Sequence, residues 1–306
     1  MCTVPGIKKS LHGMAFRMTR DTGLSMLNRN RVFNYFAEAS APAESVSVAV
    51  PIPELPGAAL RLQMDLGDML SRQWYYLGYD AYEVAVRKTM WALIRNPQWQ
   101  GETHVIDVGA NLGYFTLYLA RILQSQKGGE VHAFEPSPGV FARLERNASL
   151  NPELRVVTTQ AAISCSEGTA DLYLASQEWG HSAASLVPAG VQQIGAVQVT
   201  STTLDRYAER SISGKVGLIK LDCEGSEADA LLGAKELIRR DKPDLIVELI
   251  PRYAASYREI FNRELLAGYR TYWITPSGLI EREQAIPTYE HRDWLLSTRR
   301  DVPGIS

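Results

Sequence analysis

Residues 105–115 read VIDVGANLGYF. An apolar run ends in an acid and a glycine, a second glycine follows four residues later, and an amphipathic segment begins at once. Phe115, Leu119, Ile122 and Leu123 fall on one face of that segment, so the pattern is strand, tight turn, helix. The same rhythm continues through EVHAFEP, PGVFARLERNASL and RVVTTQAAI. It resumes with GLIKLD at 217–222, a helix expected over 226–240, and DLIVELI at 244–250. Ser137 reads as an N-cap with Pro138 at the first helical position. Near-continuous apolar strands alternating with helices define a parallel sheet covered on both faces. The expected fold is α/β: a doubly wound, Rossmann-like, seven-stranded and mostly parallel sheet preceded by a helical N-terminal cap.

In such a sheet the turn after the first strand lies where ligands bind. Glu135 closes the second strand, where a carboxylate reaches the hydroxyls of an adenosine ribose. A dinucleotide turn would need G-x-G-x-x-G, and Asn111 occupies the slot of its second glycine. The turn therefore suits a nucleoside without phosphates, and S-adenosylmethionine is such a ligand. Asp107 is read as holding the loop backbone or facing the amino group of that ligand. A nicotinamide-dependent oxidoreductase and a cofactor-binding protein without catalysis stand as rivals.

The chain has 306 residues, a net charge of −2, 45% hydrophobic and 22% charged residues, and no basic block longer than two residues. A phosphate-tracking groove would show a basic stripe, so nucleic acid is not an expected partner. Cys2, Cys165 and Cys223 are too few and too far apart for a disulfide framework or a zinc site. No signal peptide or membrane span is visible, and the expected compartment is the cytoplasm. A homo-oligomer is compatible with the sequence.

Residues 1–98 are expected to form a cap and linker region and residues 99–306 the catalytic domain. The Ala-, Ser- and Pro-rich stretch 37–57, with its β-like run Val46 to Val50, looks like a linker or edge hairpin, and 82–95 like a covering helix. Residues 164–203 break the alternation with a hairpin, a loop WGHSAASL (179–186) and another strand-like run, a long excursion of the kind that serves function. Tyr75, Tyr76 and Tyr79 in the cap are read as packing. The tail suggests a helix near 256–267 and an antiparallel pair closing the sheet edge.

With these pieces assembled, the chain resembles the FkbM family of class I, S-adenosylmethionine-dependent methyltransferases. The matching segments are YEVAVRKTMWALI, VIDVGANLGYF, HAFEPSP, AAIS with EGTADLYL, TTLD, KLDCEGSE (220–227) and LIVEL, in the family's order. KLDCEGSE is the most specific of them, Cys223 being a mild departure. The resemblance implies methyl transfer to a hydroxyl oxygen of a small molecule, typically a sugar or a polyketide-derived or glycosylated metabolite. It implies that Asp107, Gly109, Ala110, Asn111 and Gly113 hold the methionine end of the cofactor, Glu135 the ribose, and Ala161 and Ala162 the adenine side. Asp222 and Glu224 would stand at the catalytic mouth.

Methyl transfer to oxygen needs positioning of two reactants and removal of a proton. Asp222, Glu224 and His181 from the excursion loop are the candidate bases. Ser226 with Asp229 reads as a capping box, and Glu227 as a first-turn acid favoured by the helix dipole. Glu248 ends the next strand. With Asp222 it could bind a hard divalent cation, or it could pair with Lys220 or Arg252.

Overall fold

The computed structural model describes residues 45–66, 71, 83–97, 99, 102–126, 128–175, 184–188, 193–261, 264–299 and 301–302. The chain divides into two compact units. In the first, strands β1 (Ser45–Pro51) and β2 (Ala59–Asp65) form an antiparallel hairpin in which Val48 faces Leu62. Alternation buries Leu60, Leu62 and Met64 on one side of β2.

The second unit begins with helix α1 (Val84–Ile94) and contains a central sheet. Its strands are β3 (Thr103–Val108), β4 (Val131–Phe134), β5 (Val156–Thr159), β9 (Lys215–Leu221), β10 (Asp244–Glu248), β11 (Arg270–Thr275), β12 (Gly278–Arg282) and β13 (Asp293–Ser297). Strands β6 (Ala162–Ile163), β7 (Gly168–Ala175) and β8 (Gln193–Thr202) form a separate three-stranded sheet from the excursion. The central order is β12-β11-β13-β10-β9-β3-β4-β5. β3 lies between β4 and β9 and is parallel to both, so the order reverses there and the crevice opens beside its carboxyl end.

The sheet has eight strands, one more than expected. The turn Pro276-Ser277-Gly278 hairpins β11 into β12, with Gly278 at φ 128° and the Thr275 hydroxyl donating to the Gly278 carbonyl. Within the sheet β13 and β12 run against the others. Among the described residues, no helix is long and apolar enough to cross a membrane.

Helices α2 (Tyr114–Ser125) and α3 (Pro138–Ser149) follow β3 and β4, with Ser137 and Pro138 at the start of α3 as expected. Ile106, Val108, Phe134, Ile219, Leu221 and Val247 pack on the other face against α4 (Leu204–Ser211), α5 (Glu227–Leu232), α6 (Lys235–Asp241) and α7 (Ala254–Phe261). The helix expected over 226–240 is thus two helices. A Cβ at Gly233 would lie 2.1 Å from the Ser164 carbonyl, and Asp205 caps the new N-terminus by accepting from the amides of Glu236 and Leu237.

At the amino end of β3 and β4, His104 and His132 are buried side by side. His104 Nδ1 accepts from the Glu130 amide, which leaves its Nε2–H to donate to the Ser213 carbonyl. His132 Nε2 then donates to His104 Nδ1 at 3.4 Å, and its Nδ1 accepts from the Tyr207 hydroxyl. With every ring nitrogen engaged and the Glu130 carboxylate 3.0 Å from Arg155, the trio forms a hydrogen-bonded seam.

Burial, and His104 beside it, push His132 down to about 4, so the fold holds the ring neutral. An unfolded histidine takes up its proton near about 6.5, so between there and about 4 the unfolded chain binds more protons and stability falls as pH drops. His132→Gln should flatten that part of the curve: in urea unfolding, the variant loses less stability than the wild type between about pH 7 and about pH 5.

Candidate active site

The turn after β3 is held by backbone geometry that few residues tolerate. Gly109, Asn111 and Gly113 have φ of 78°, 53° and 93°. Asn111 accepts this through its own side chain, whose Oδ1 takes the Leu112 amide at 2.8 Å. A Cβ on Gly109 would lie 1.8 Å from the carbonyl oxygen of Asp222, so the glycine turn and the loop after β9 are in direct backbone contact. The Asp222 amide donates to the Val108 carbonyl at 3.1 Å and closes the same junction.

Glu135, buried at the end of β4, accepts from the amide of Asn111 through Oε2 (3.1 Å) and from that of Ser137 through Oε1 (2.9 Å). Burial pushes its carboxyl up to about 7 against the pull of those two amides. Ala110 is buried at the turn, with its amide on the Phe134 carbonyl. Ala161 is buried just past β5, whereas Ala162 packs with Leu172 and Val199 in the core of the three-stranded sheet.

Asp107 is fully buried and in register with Lys220 on β9. Its Oδ2 accepts from the Thr116 hydroxyl at 2.6 Å, while Oδ1 has no hydrogen-bond partner and lies 3.8 Å from the Lys220 ammonium. That ammonium donates to Asp222 Oδ2 at 2.9 Å and sits over the Phe115 ring. Lys220 is therefore a buried cation between the turn's acid and the loop's acid, and it keeps Asp222 low despite burial. A lysine inside the run GLIKLD was the signal available for it, since an apolar strand admits a charge only where a partner waits.

The expected acids converge. Asp222, Glu224 and Glu248 gather at the carboxyl ends of β9 and β10, joined by Asp293 at the start of β13. Asp222 and Glu248 lie close enough to influence each other's ionisation. Burial and then Asp222 push Glu248 well up. Burial, Asp222 and Glu227 push Glu224 up to about 7. Glu248 pairs with Arg292 at 3.2 Å, and neither Lys220 nor Arg252 takes that place.

One local expectation is corrected. Ser226 makes no side-chain cap; its hydroxyl donates backward to the Cys223 carbonyl because the loop folds over itself. Glu227 stands in the first turn of α5 as expected, and it is fully buried there. Its Oε1 accepts from the amides of Cys223 and Gly225, and its Oε2 from the Tyr257 hydroxyl. His181, together with Trp179, Tyr75, Tyr76 and Tyr79, lies outside the described residues.

A doubly wound sheet with a glycine turn, a buried acid closing the second strand and carboxylates at its switch point has the form of a Rossmann-like fold with a crevice at that point. Residues 107–271 match the family model described as the methyltransferase FkbM domain, and the chain belongs to this family of methyltransferases. It is 31% identical over 161 residues to methyltransferase sdnD of Sordaria araneosa, covering 43% of this chain and 60% of that one. It is 26% identical over 150 residues to 2-O-methyltransferase NoeI of Sinorhizobium fredii, covering 45% and 60%. The chain thus spans about three fifths of the length of these relatives. A methyltransferase FkbM from Methylobacillus flagellatus superposes with a TM-score of 0.42 at 16% identity, over 74% of this chain and 52% of that one.

Gly109→Ala should separate the ends of β3 and β9, because the methyl group has no room beside the Asp222 carbonyl and the left-handed backbone disfavours it as well. We expect a loss of more than about 2 kcal/mol in denaturant unfolding. A variant as stable as the wild type would show that the two loops part without cost.

Proposed function

We propose that this methyltransferase uses S-adenosylmethionine and methylates a hydroxyl oxygen of a small molecule, a sugar or a polyketide-type or glycosylated metabolite. The observation that carries this proposal is the backbone contact between the glycine turn and the Asp222 loop, which brings the turn against the segment that carries Asp222 and Glu224. The relative named as a 2-O-methyltransferase supports oxygen as the acceptor atom. The acids gathered at the mouth would repel a phosphate backbone and can accept hydrogen bonds from hydroxyls. Cysteine usage and the absence of basic blocks favour a cytoplasmic enzyme of small metabolites.

The residues present fit the cofactor. The orphaned Oδ1 of Asp107 is a buried acceptor suited to an ammonium group, and the two Glu135 oxygens keep lone pairs beyond the amides they accept. Gly109, Ala110, Asn111 and Gly113 would line the methionine end, and Ala161 the adenine side. Bound there, the cofactor supplies an electrophilic sulfonium methyl. Asp222, held ionised by Lys220, orients the acceptor hydroxyl. Glu224, near 7, has the proton affinity a general base needs at neutral pH. Asp222 pairs with Lys220 and Glu248 with Arg292, so the chain's own cations compensate both carboxyls without a metal.

Labelled S-adenosylmethionine, offered with a metabolite extract and with total RNA, should mark a small molecule; label in RNA alone would overturn the acceptor class. Turnover should rise with pH through an ionisation near 7, because the base works only when deprotonated. Glu224→Gln should remove that limb and cost about 10²–10⁴-fold in rate. Calorimetry should show S-adenosylhomocysteine binding and no NAD binding, with Glu135→Ala weakening the former by at least about tenfold. Undiminished activity in chelator is expected, and loss of activity restored by a divalent cation would return Asp222 and Glu248 to a metal role.

A further inference from the structure

Glu224 has a left-handed backbone, φ 55°, without being glycine, and its neighbours show what keeps it there. The amides on either side of it, Cys223 N and Gly225 N, both donate to one oxygen of Glu227, at 2.9 and 3.1 Å. The other oxygen of Glu227 accepts from the Tyr257 hydroxyl at 2.8 Å, and that hydroxyl accepts from the Ile250 amide just beyond β10. Tyr253 closes the loop from outside: a Cβ on Gly225 would lie 2.2 Å from its ring. The carbonyl of Glu224 itself accepts from the Ser185 hydroxyl at 2.6 Å, and the same hydroxyl oxygen accepts from the Val187 amide. Ser185 is buried and pinned to Tyr173 by two backbone hydrogen bonds, so it is a rigid point on the excursion.

We infer that Glu227 and Ser185 are positioning residues that grip the peptide units around Glu224 from both sides and fix the direction of its carboxyl toward the acceptor hydroxyl. Glu227 ties Glu224 to the loop after β10, and Ser185 ties it to the excursion that follows β7. Neither residue touches the reacting atoms. The effect of losing either should fall on turnover and spare cofactor affinity, since misplacing a reacting group by an ångström is enough to slow catalysis. This inference rests on the reading of Glu224 as the base.

The test compares Ser185→Ala, Glu227→Ala and Glu227→Gln with the wild type. Three quantities are measured: turnover with labelled S-adenosylmethionine and the metabolite extract, S-adenosylhomocysteine affinity by calorimetry, and the rate at which a maleimide labels Cys223 relative to exposed Cys165. Ser185→Ala and Glu227→Ala should lower kcat by about 10–100-fold with the affinity unchanged. Both should speed labelling of Cys223, whose amide the grip holds. Glu227→Gln keeps one oxygen for the two amides and should recover most of the turnover. Should Glu227→Ala fail to fold, Ser185→Ala alone decides. Affinity falling in step with kcat, or Glu227→Gln faring no better than Glu227→Ala, overturns the inference, as does unaltered Cys223 labelling in Ser185→Ala. Glu224→Gln with wild-type turnover would refute the base itself, while the labelling rates still report on the grip.

Discussion

Everything at the mouth of this sheet depends on how closely two backbones approach. The turn after β3 passes the carbonyl of Asp222 with only a hydrogen atom's room at Gly109. That contact sets the separation between the strand that would hold a cofactor and the strand that presents the acids. Behind it stand Asn111 in a left-handed conformation and Glu135, which fastens the turn through the Asn111 amide and the start of α3 through the Ser137 amide. A sheet of this kind always opens a crevice where its strand order reverses. Here the crevice is narrowed until the two loops behave as one wall.

The second constraint is charge. Asp107, Asp222, Glu224, Glu248 and Asp293 are drawn together with Lys220 and Arg292 among them, and the acids cannot all ionise at such spacing. The structure separates their roles by environment. Lys220 sits against Asp222 and favours its charge, burial and the neighbouring Asp222 raise Glu248, and Glu224 is pushed up to about 7. Two similar carboxyls two residues apart thereby acquire different chemistry.

The sheet is legible in the sequence because buried parallel strands are apolar runs, and each run here ends in a conspicuous residue: Asp107 and the glycine turn, Glu135, Asp222, Glu248. The site's acids are legible for the same reason. What the sequence hides is the use of residues whose partners come from far along the chain. Glu227 looks like any acid in a first helical turn until Tyr257, thirty positions later, covers it. Arg292 reaches Glu248 from a strand of opposite direction, and Asp205 caps a helix that begins thirty residues on. The break at Gly233 is invisible to helical periodicity, since it is imposed by a neighbouring carbonyl. Local pattern encodes the elements; the pairings that tune them are properties of the assembled chain.

The hairpin that adds β12 has a consequence for how the molecule behaves among copies of itself. An open sheet presents a row of unpaired amides and carbonyls at each border, a template for unwanted strand addition. At one border stands β12, which carries Glu281 and Arg282, with Arg270 from β11 salt-bridged across to Glu281. At the other stands β5, only four residues long and preceded by Arg155, which is bound to Glu130 and faces Glu102. Both borders are thus guarded by charge or brevity, and further strands find no long apolar edge on which to grow. The Pro-Ser-Gly turn, which looks like a mere extension of the fold, places a charged strand where β11 would otherwise have ended the sheet.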